Sequence, residues 1–182
     1  VDPNVIQQLL AESQHDGVQK MVVGAVIRRD HKFLLLERVP SDFMGGLVEL
    51  PSGTVDAGED LLTALARETQ EETGLAINSI LAYLGSFDYT SGSGKKTRQY
   101  SFLVEVAPGA VRLNPAEHQA HHFVAPTDAA FTPHHERPGR TPGDEWSDTP
   151  KGNIQKPDHG AGFTPLNISD AVRKALQTAR QQ

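Results

Sequence analysis

Residues 53–75 of the chain read GTVDAGEDLLTALARETQEETGL, and no other stretch says as much about the fold. Apolar side chains recur within it at helical spacing, which predicts a helix over residues 60–73. Glu68, Glu71 and Glu72 stand at positions i, i+3 and i+4, so they share one side of that helix. This acidic side adjoins the apolar stripe, which places the three carboxylates beside the core and not in open water.

Three like charges close to the C-terminal end of a helix repel one another, and the helix dipole disfavours anions there. A bound divalent cation removes this conflict, and clustered carboxylate oxygens suit Mg²⁺, or Mn²⁺ as a substitute, better than zinc. Mg²⁺ is often bound by protein carboxylates and substrate phosphates together, so the cluster indicates phosphate chemistry. Arg67 stands four residues before Glu71 and can hold that carboxylate in one rotamer. The competing interpretation is a solvated acidic helix face.

The surroundings of the glutamates favour the metal site. The stretch resembles the Nudix box, G-x5-E-x7-R-E-U-x-E-E-x-G-U with U an apolar residue, and it departs from that pattern only at Thr69. The matching residues are Gly53, Glu59, Arg67, Glu68, Glu71, Glu72, Gly74 and Leu75. The preceding Leu-Pro-Ser-Gly approach is also similar to the family, whereas Val48 stands where many relatives carry tryptophan. The resemblance covers about residues 18–126 and the final helix.

A resemblance to the Nudix hydrolases implies an α/β fold, an α/β/α sandwich with a mixed central sheet. It also implies a Mg²⁺-dependent attack of water on a pyrophosphate bond. By the same resemblance, Glu68 and Glu72 are the principal metal ligands and Glu71 belongs to the same cluster. A backbone carbonyl near Gly53 is a further candidate ligand.

The resemblance assigns supporting roles to other residues of the box. Arg67 is expected to orient the glutamates, and Glu59 to act as a hydrogen-bond partner or outer ligand. Gly74 is a backbone requirement at the helix end, as Gly53 is at the turn before it. For the general base, Glu68 is one candidate. Glu117, on a loop distant in sequence, is the other and is equally compatible with an extra ligand or an ordinary exposed glutamate.

The substrate stays open, because the box acts on the diphosphate and not on the groups that flank it. We expect a nucleoside diphosphate linked to another moiety, of the ADP-ribose or nucleotide-sugar type. The alternative is a nucleoside triphosphate pyrophosphohydrolase that cleans the nucleotide pool. A non-catalytic nucleotide-binding module is less favoured, because such modules usually lose box glutamates and all are present here. Prenyl diphosphate isomerisation typically recruits a cysteine, which the chain lacks.

Lys95, Lys96 and Arg98 form a basic group beside a Gly/Ser-rich tip. They are candidate contacts for substrate phosphates, although an exposed hairpin tip has the same composition. The following residues are ambiguous between substrate contact and ordinary packing: Phe43, Tyr89, Tyr100, Arg28, Arg29 and Arg38.

Apolar and alternating runs predict strands on both sides of the box helix. The predicted elements are a helix over 2–14, strands over 20–28, 33–37, 47–50, 77–89, 98–106 and 121–125, and a last helix over 170–180 capped by Ser169. A turn at Asp30-His31 joins the first two strands, whereas Pro51-Ser52-Gly53 breaks the third. We divide the chain into an N-terminal helix, residues 1–17, and one Nudix domain, residues 18–182.

Residues 127–163 are rich in Pro, Gly, His and charge and lack sustained periodicity. A segment of this kind is usually a functional lid or a disordered loop, and both interpretations stay open. The histidines at 121, 122, 134 and 135 are not expected to form a transition-metal site. His121 and His122 are adjacent on a predicted strand and so point to opposite faces, whereas His134 and His135 lie in a Pro-rich loop.

The composition of the 182-residue chain is that of a globular protein, with 37% apolar and 22% charged residues. No apolar run reaches the roughly 18 residues of a membrane span, and no signal peptide is recognisable, so we expect a cytoplasmic protein. The lack of cysteine excludes disulfides and a cysteine nucleophile. A net charge of -6 without a basic block argues against a nucleic-acid duplex as partner. The expected partner is a small nucleotide, and a homodimer is compatible with the sequence.

Overall fold

The computed structural model describes residues 1–41, 45–125 and 170–182. These ranges contain three helices, α1 (Pro3–His15), α2 (Leu61–Thr73) and α3 (Asp170–Ala179). They also contain seven strands, β1 (Lys20–Arg29), β2 (Lys32–Arg38), β3 (Val48–Glu49), β4 (Ser52–Thr54), β5 (Ile77–Thr90), β6 (Lys96–Val106) and β7 (His118–Val124). None of the helices in these ranges has the length and apolar character that crossing a membrane requires.

The strands form one mixed sheet in the order β3-β2-β1-β6-β5, with β4 paired to β1 and β7 paired to β2. Only β1 and β6 run parallel, and every other pair is antiparallel. The α/β fold with a mixed central sheet is therefore confirmed. This strand order places β1 at the middle of the sheet. Strand β4 pairs with β1 and so brings the first residues of the Nudix-like box against the central strand.

Alternation along β1 divides the core between the two faces of the sheet. Val23 and Ala25 pack with the apolar side chains of α1 and α2 in one buried cluster. Val26 lies on the other face, in a second cluster with α3. The helices thus cover both faces, as in the predicted α/β/α sandwich, and the predicted N-terminal helix packs directly on the sheet.

Local chemistry explains where the predicted elements begin and end. Asp2 caps α1 by accepting a hydrogen bond from the Asn4 amide. Asp30 and His31 both adopt positive φ, as the tight turn between β1 and β2 requires. Gly74 ends α2 with a φ of 68°, the left-handed conformation that glycine adopts without steric cost.

Three differences from the predicted elements stand out. Residues 52–54 form β4 instead of a simple break, because the Pro51 carbonyl accepts from the Ala25 amide and guides the chain onto β1. The strand predicted over 47–50 shortens to β3. The final strand of the sheet, β7, begins at His118, three residues earlier than predicted. Ser169, Phe43, His134, His135 and the segment 127–163 lie outside the described residues.

The N-cap of α2 provides a test of the local fold. One Asp60 carboxylate oxygen accepts from the amides of Leu62 and Thr63, and the other accepts from the Thr63 hydroxyl. We expect Asp60→Ala to lower the free energy of unfolding by about 1 kcal/mol, because these amides lose their partner. Urea denaturation at neutral pH measures the change, and Asp60→Asn, which keeps an accepting oxygen, is the control. Equal losses in both variants would contradict the capping role.

Candidate metal centre

The three glutamates of α2 do not have equivalent surroundings. Glu72 is only 7% exposed, and its Oε2 accepts a hydrogen bond of 2.8 Å from the Ser52 amide on β4. Glu68 lies against Gly53, where a Cβ would overlap its carboxyl group. The side chain of Glu71 is 57% exposed. The helix therefore directs Glu68 and Glu72 towards β4. The prediction that Glu71 also lies beside the core is wrong, because its carboxylate is at the outer rim.

Burial disfavours the charge on both inner glutamates. Desolvation raises the pKa of Glu72 to about 8, and the negative charges of Glu49, Glu117 and Glu68 add to the shift, although the Ser52 amide opposes it. Desolvation likewise raises the pKa of Glu68, against the opposing effect of Arg67. In the metal-free protein these carboxylates repel one another, which is the conflict that the sequence predicts.

Arg67 binds the box glutamates on the outer side of the cluster. Its Nε and Nη2 donate to the two carboxylate oxygens of Glu59 at 3.0 and 2.8 Å, a bidentate pair. Its Nη1 donates to Glu68 Oε1 at 2.8 Å, and its Nη2 also donates to the Thr54 carbonyl. The predicted contact with Glu71 is present at 3.4 Å. Glu59 and Glu68 are thus the closer partners, and the guanidinium lowers the pKa of Glu59.

A second group of ligands comes from the start of β7. The Asn114 carbonyl accepts from the amides of Glu117 and His118, and this turn presents both side chains to α2. One ligand atom from each of Glu72, Glu117 and His118 lies within 4.8 Å of the others. Glu117, predicted from the sequence as a distant loop residue, therefore lies beside a box glutamate.

His118 and Glu49 also lie at this site, although neither residue was predicted from the sequence as part of it. The His118 side chain is buried, and its Nε2 lies 3.3 Å from Glu49 Oε1. Its Nδ1 is buried and has no hydrogen-bond partner among the residues that the structure describes. Arg38 binds the same Glu49 oxygen at 2.5 Å. The only local signal for His118 is its place next to Glu117.

This donor set fits a divalent cation. One carboxylate oxygen from each of Glu72 and Glu117 lies close to an imidazole nitrogen of His118, and the charge of Glu68 adds to the desolvation that raises the pKa of Glu72. Hard divalent cations prefer oxygen ligands, and an imidazole nitrogen is compatible with Mn²⁺. A bound cation would also offset the repulsion that raises the pKa of Glu72.

The basic group at the β5–β6 turn has other partners. Arg98 donates to Asp88 at 2.6 Å and to Asp16 at 2.9 Å, and the Lys96 ammonium donates to the Asp16 carbonyl at 2.8 Å. Lys95 lies in an ordered turn, where the Ser91 amide donates to its carbonyl. A role of these residues in phosphate binding stays a prediction.

Several of the residues that were ambiguous between substrate contact and packing, and the pair His121-His122, pack against or pair with other parts of the chain. Their places in the structure are Tyr100 in the core beside Ser13, Arg28 bound to Glu105, Arg29 over the Phe123 ring, His121 edge-on to Phe123 and His122 bound to Glu37. Tyr89 differs, because 39% of it is exposed.

Comparisons with known proteins agree with this geometry. The sequence model of the NUDIX domain matches residues 18–147. A CTP pyrophosphohydrolase of Escherichia coli is 32% identical over 112 residues, 62% of this chain and 80% of that protein. An ADP-ribose pyrophosphatase of Methanocaldococcus jannaschii is 39% identical over 70 residues, 37% of this chain and 41% of that protein.

Solved structures show the same fold. The solution structure of the E. coli ORF135 protein aligns with a TM-score of 0.53 and 30% identity over 63% of this chain and 80% of that one. The crystal structure of a MutT NUDIX hydrolase from Burkholderia pseudomallei aligns with a TM-score of 0.59 and 24% identity over 87% of this chain and 96% of that one. The chain therefore belongs to the Nudix family and is a Nudix pyrophosphohydrolase.

Proposed function

We propose that the protein hydrolyses a nucleoside triphosphate to the monophosphate and pyrophosphate, with Mg²⁺ as the preferred metal. The grouping of Glu72, Glu117 and His118, with Glu68 one helical turn before Glu72 on α2, supports the reaction. The substrate class rests on similarity to a CTP pyrophosphohydrolase over 80% of that relative. A long match is the more informative one, because the groups that flank the diphosphate are recognised outside the box.

The second candidate is a nucleoside diphosphate linked to another moiety, of the ADP-ribose or nucleotide-sugar type. The supporting observation is 39% identity to an ADP-ribose pyrophosphatase, which covers 41% of that relative. The same residues would act on either substrate, because both reactions break a bond between two phosphates. The cytoplasmic location stays a prediction, and a homodimer stays compatible with the sequence.

The inner carboxylates would hold the metal. Glu72 and Glu68 are the principal ligands in this proposal, and Glu117 and His118 approach from β7. Glu71, at the exposed rim, is placed for an outer contact. The metal, when bound, would lower the pKa of a water molecule and offset charge on the phosphate oxygens.

A carboxylate of the chain must take the proton from the attacking water. Desolvation raises the pKa of Glu68, but Arg67 donates to its Oε1, so one oxygen of that carboxylate is already engaged. Glu117 is exposed, beside Glu72 in the cluster. We therefore favour Glu117 as the base and Glu68 as a ligand oriented by Arg67, with Glu59 holding the guanidinium in place.

A substrate panel tests the proposal. With Mg²⁺, we expect wild-type protein to release pyrophosphate and a nucleoside monophosphate from at least one of CTP, ATP, GTP and UTP. A Glu68→Gln preparation purified in the same way controls for contaminating phosphatases. Cleavage of ADP-ribose or UDP-glucose without pyrophosphate release from any triphosphate would support the second candidate. If none of these compounds is cleaved, both candidate functions are overturned.

A further inference from the structure

We propose that Gln99 binds the edge of the substrate base and that Phe87 and Tyr89 form the surface against which the base lies. This inference rests on the proposed function, because it assigns the nucleoside end of the same site. The three residues lie on the face of the sheet that α3 covers, outside the buried cluster that packs against α3.

The three side chains lie together on one face of the sheet. Phe87 and Gln99 are directly opposite each other in the β5–β6 pairing, so both point to the same side. Phe87 and Tyr89 are stacked, with ring centroids 5.8 Å apart and planes at 30°. Tyr89 is 39% exposed although it is a large aromatic residue. A stacked aromatic pair with one exposed and one partly buried ring suits stacking with a base, which requires no particular base identity.

Gly24 makes room for the Gln99 amide. A Cβ at residue 24 would lie 2.6 Å from Gln99 Nε2 and 3.8 Å from Leu50 Cδ1. The backbone of Gly24 is not in the left-handed region, so its conformation does not call for glycine. A glycine inside a strand often marks a close approach of another group, and here that group is a side-chain amide.

The Gln99 amide is available for a ligand. Gln99 is half-buried, and its amide makes no hydrogen bond with any part of the chain that the structure describes. A carboxamide offers one accepting oxygen and two donor hydrogens, the combination that pairs with the donors and acceptors of a base edge.

The position relative to the metal centre fits a nucleotide. Gly24 pairs with Ser52 in the β1–β4 register, and the Ser52 amide holds Glu72. Gln99 is therefore two strands from β4, or about 10 Å at the usual strand spacing. In addition, Glu49 contributes to the raised pKa of Tyr89, after desolvation, so that ring lies within electrostatic reach of the same carboxylate that contacts His118. A base on the aromatic pair would thus have its phosphates directed towards the carboxylates.

Kinetics with a base-free substrate test this assignment. We expect Gln99→Leu to lower kcat/KM for the best nucleoside triphosphate by about tenfold to a hundredfold, the effect of losing one bidentate base contact. Hydrolysis of ribose 5-triphosphate, which has no base, should stay unchanged. Gln177→Leu on the exposed side of α3 is the matched control and should change neither rate.

Gly24→Ala provides a second variant with the same expected direction, because its Cβ displaces the amide. In the Gln99→Leu background the Gly24→Ala change should add little, since the amide is already gone. Multiplicative losses in the double variant, or equal losses on both substrates, would contradict the assignment. Thermal melting of each variant verifies that it folds.

Binding separates this inference from the proposed function. Isothermal titration with CMP, AMP, GMP and UMP measures base recognition without turnover. We expect Gln99→Leu to weaken the tightest of the four by at least about tenfold and to leave ribose 5-phosphate unaffected. Unchanged affinities would overturn the inference even if triphosphates are hydrolysed. Weakened affinities would support it even if the substrate panel fails.

Discussion

Replacing Glu72 with glutamine is expected to lower kcat by about a thousandfold or more while it stabilises the metal-free protein. Activity falls because the amide is a poor metal ligand and carries no charge. Stability rises because glutamine has nearly the same shape, can still accept from the Ser52 amide, and removes a carboxyl whose charged form is disfavoured by burial and by the charges of Glu49 and Glu117. Opposite signs of the two effects distinguish a metal ligand from a residue that merely supports the fold.

The pH dependence gives this prediction a sharper form. In the metal-free protein the folded state holds a proton on Glu72 up to a pKa of about 8, whereas the unfolded chain releases it near 4.5. Stability should therefore be highest below the lower value and fall as pH rises between the two, by at most about 1.4 kcal/mol per pH unit from this group. Glu72→Gln lacks that loss, so its advantage over wild type should grow from pH 5.5 to pH 7.5.

Urea denaturation in EDTA at these two pH values measures the difference. Glu71→Gln is the matched control from the same helix, because its carboxylate is 57% exposed and should contribute little to metal-free stability. A Glu72→Gln variant less stable than wild type at pH 7.5 would show that the buried charge is not a cost. Full activity in that variant would remove Glu72 from the ligand set.

Features that depend on neighbours in the chain were predictable. The spacing of the box predicts the helix α2, its end at Gly74 and the contact between Arg67 and Glu71, and all three are present in the structure. The same spacing shows that Glu68 and Glu72 share a side of the helix. It does not show that Glu71 lies at the rim, because the positions of β4 and β7 decide which part of that side is covered.

Features that depend on pairing across the sheet were not predictable from spacing. His118 and Glu49 are 69 residues apart, and only the pairing of β7 and β3 with β2 brings them together. The basic group around Arg98 shows the converse. Its partners Asp88 and Asp16 come from β5 and from the end of α1, so a charge cluster in the sequence is locally neutralised in the fold.

Arg67→Ala is expected to weaken Mn²⁺ affinity and to lower kcat/KM by about tenfold to a hundredfold each, the usual effect of removing a group that orients metal ligands. Without the guanidinium, Glu68 loses its 2.8 Å partner, and Glu59 loses the bidentate contact that ties the loop before α2 to the helix. Arg67→Lys should recover only part of the loss, because one ammonium cannot keep both carboxylates in this geometry.

Arg98→Ala is the matched control, since Arg98 also binds two carboxylates but belongs to β6, outside the box. Both variants should lower the free energy of unfolding, whereas only Arg67→Ala should lower Mn²⁺ affinity measured by electron paramagnetic resonance. Wild-type affinity in Arg67→Ala would mean that Glu68 finds its position without help. In that case the convergence of carboxylates on β4 would be set by the packing of α2 alone.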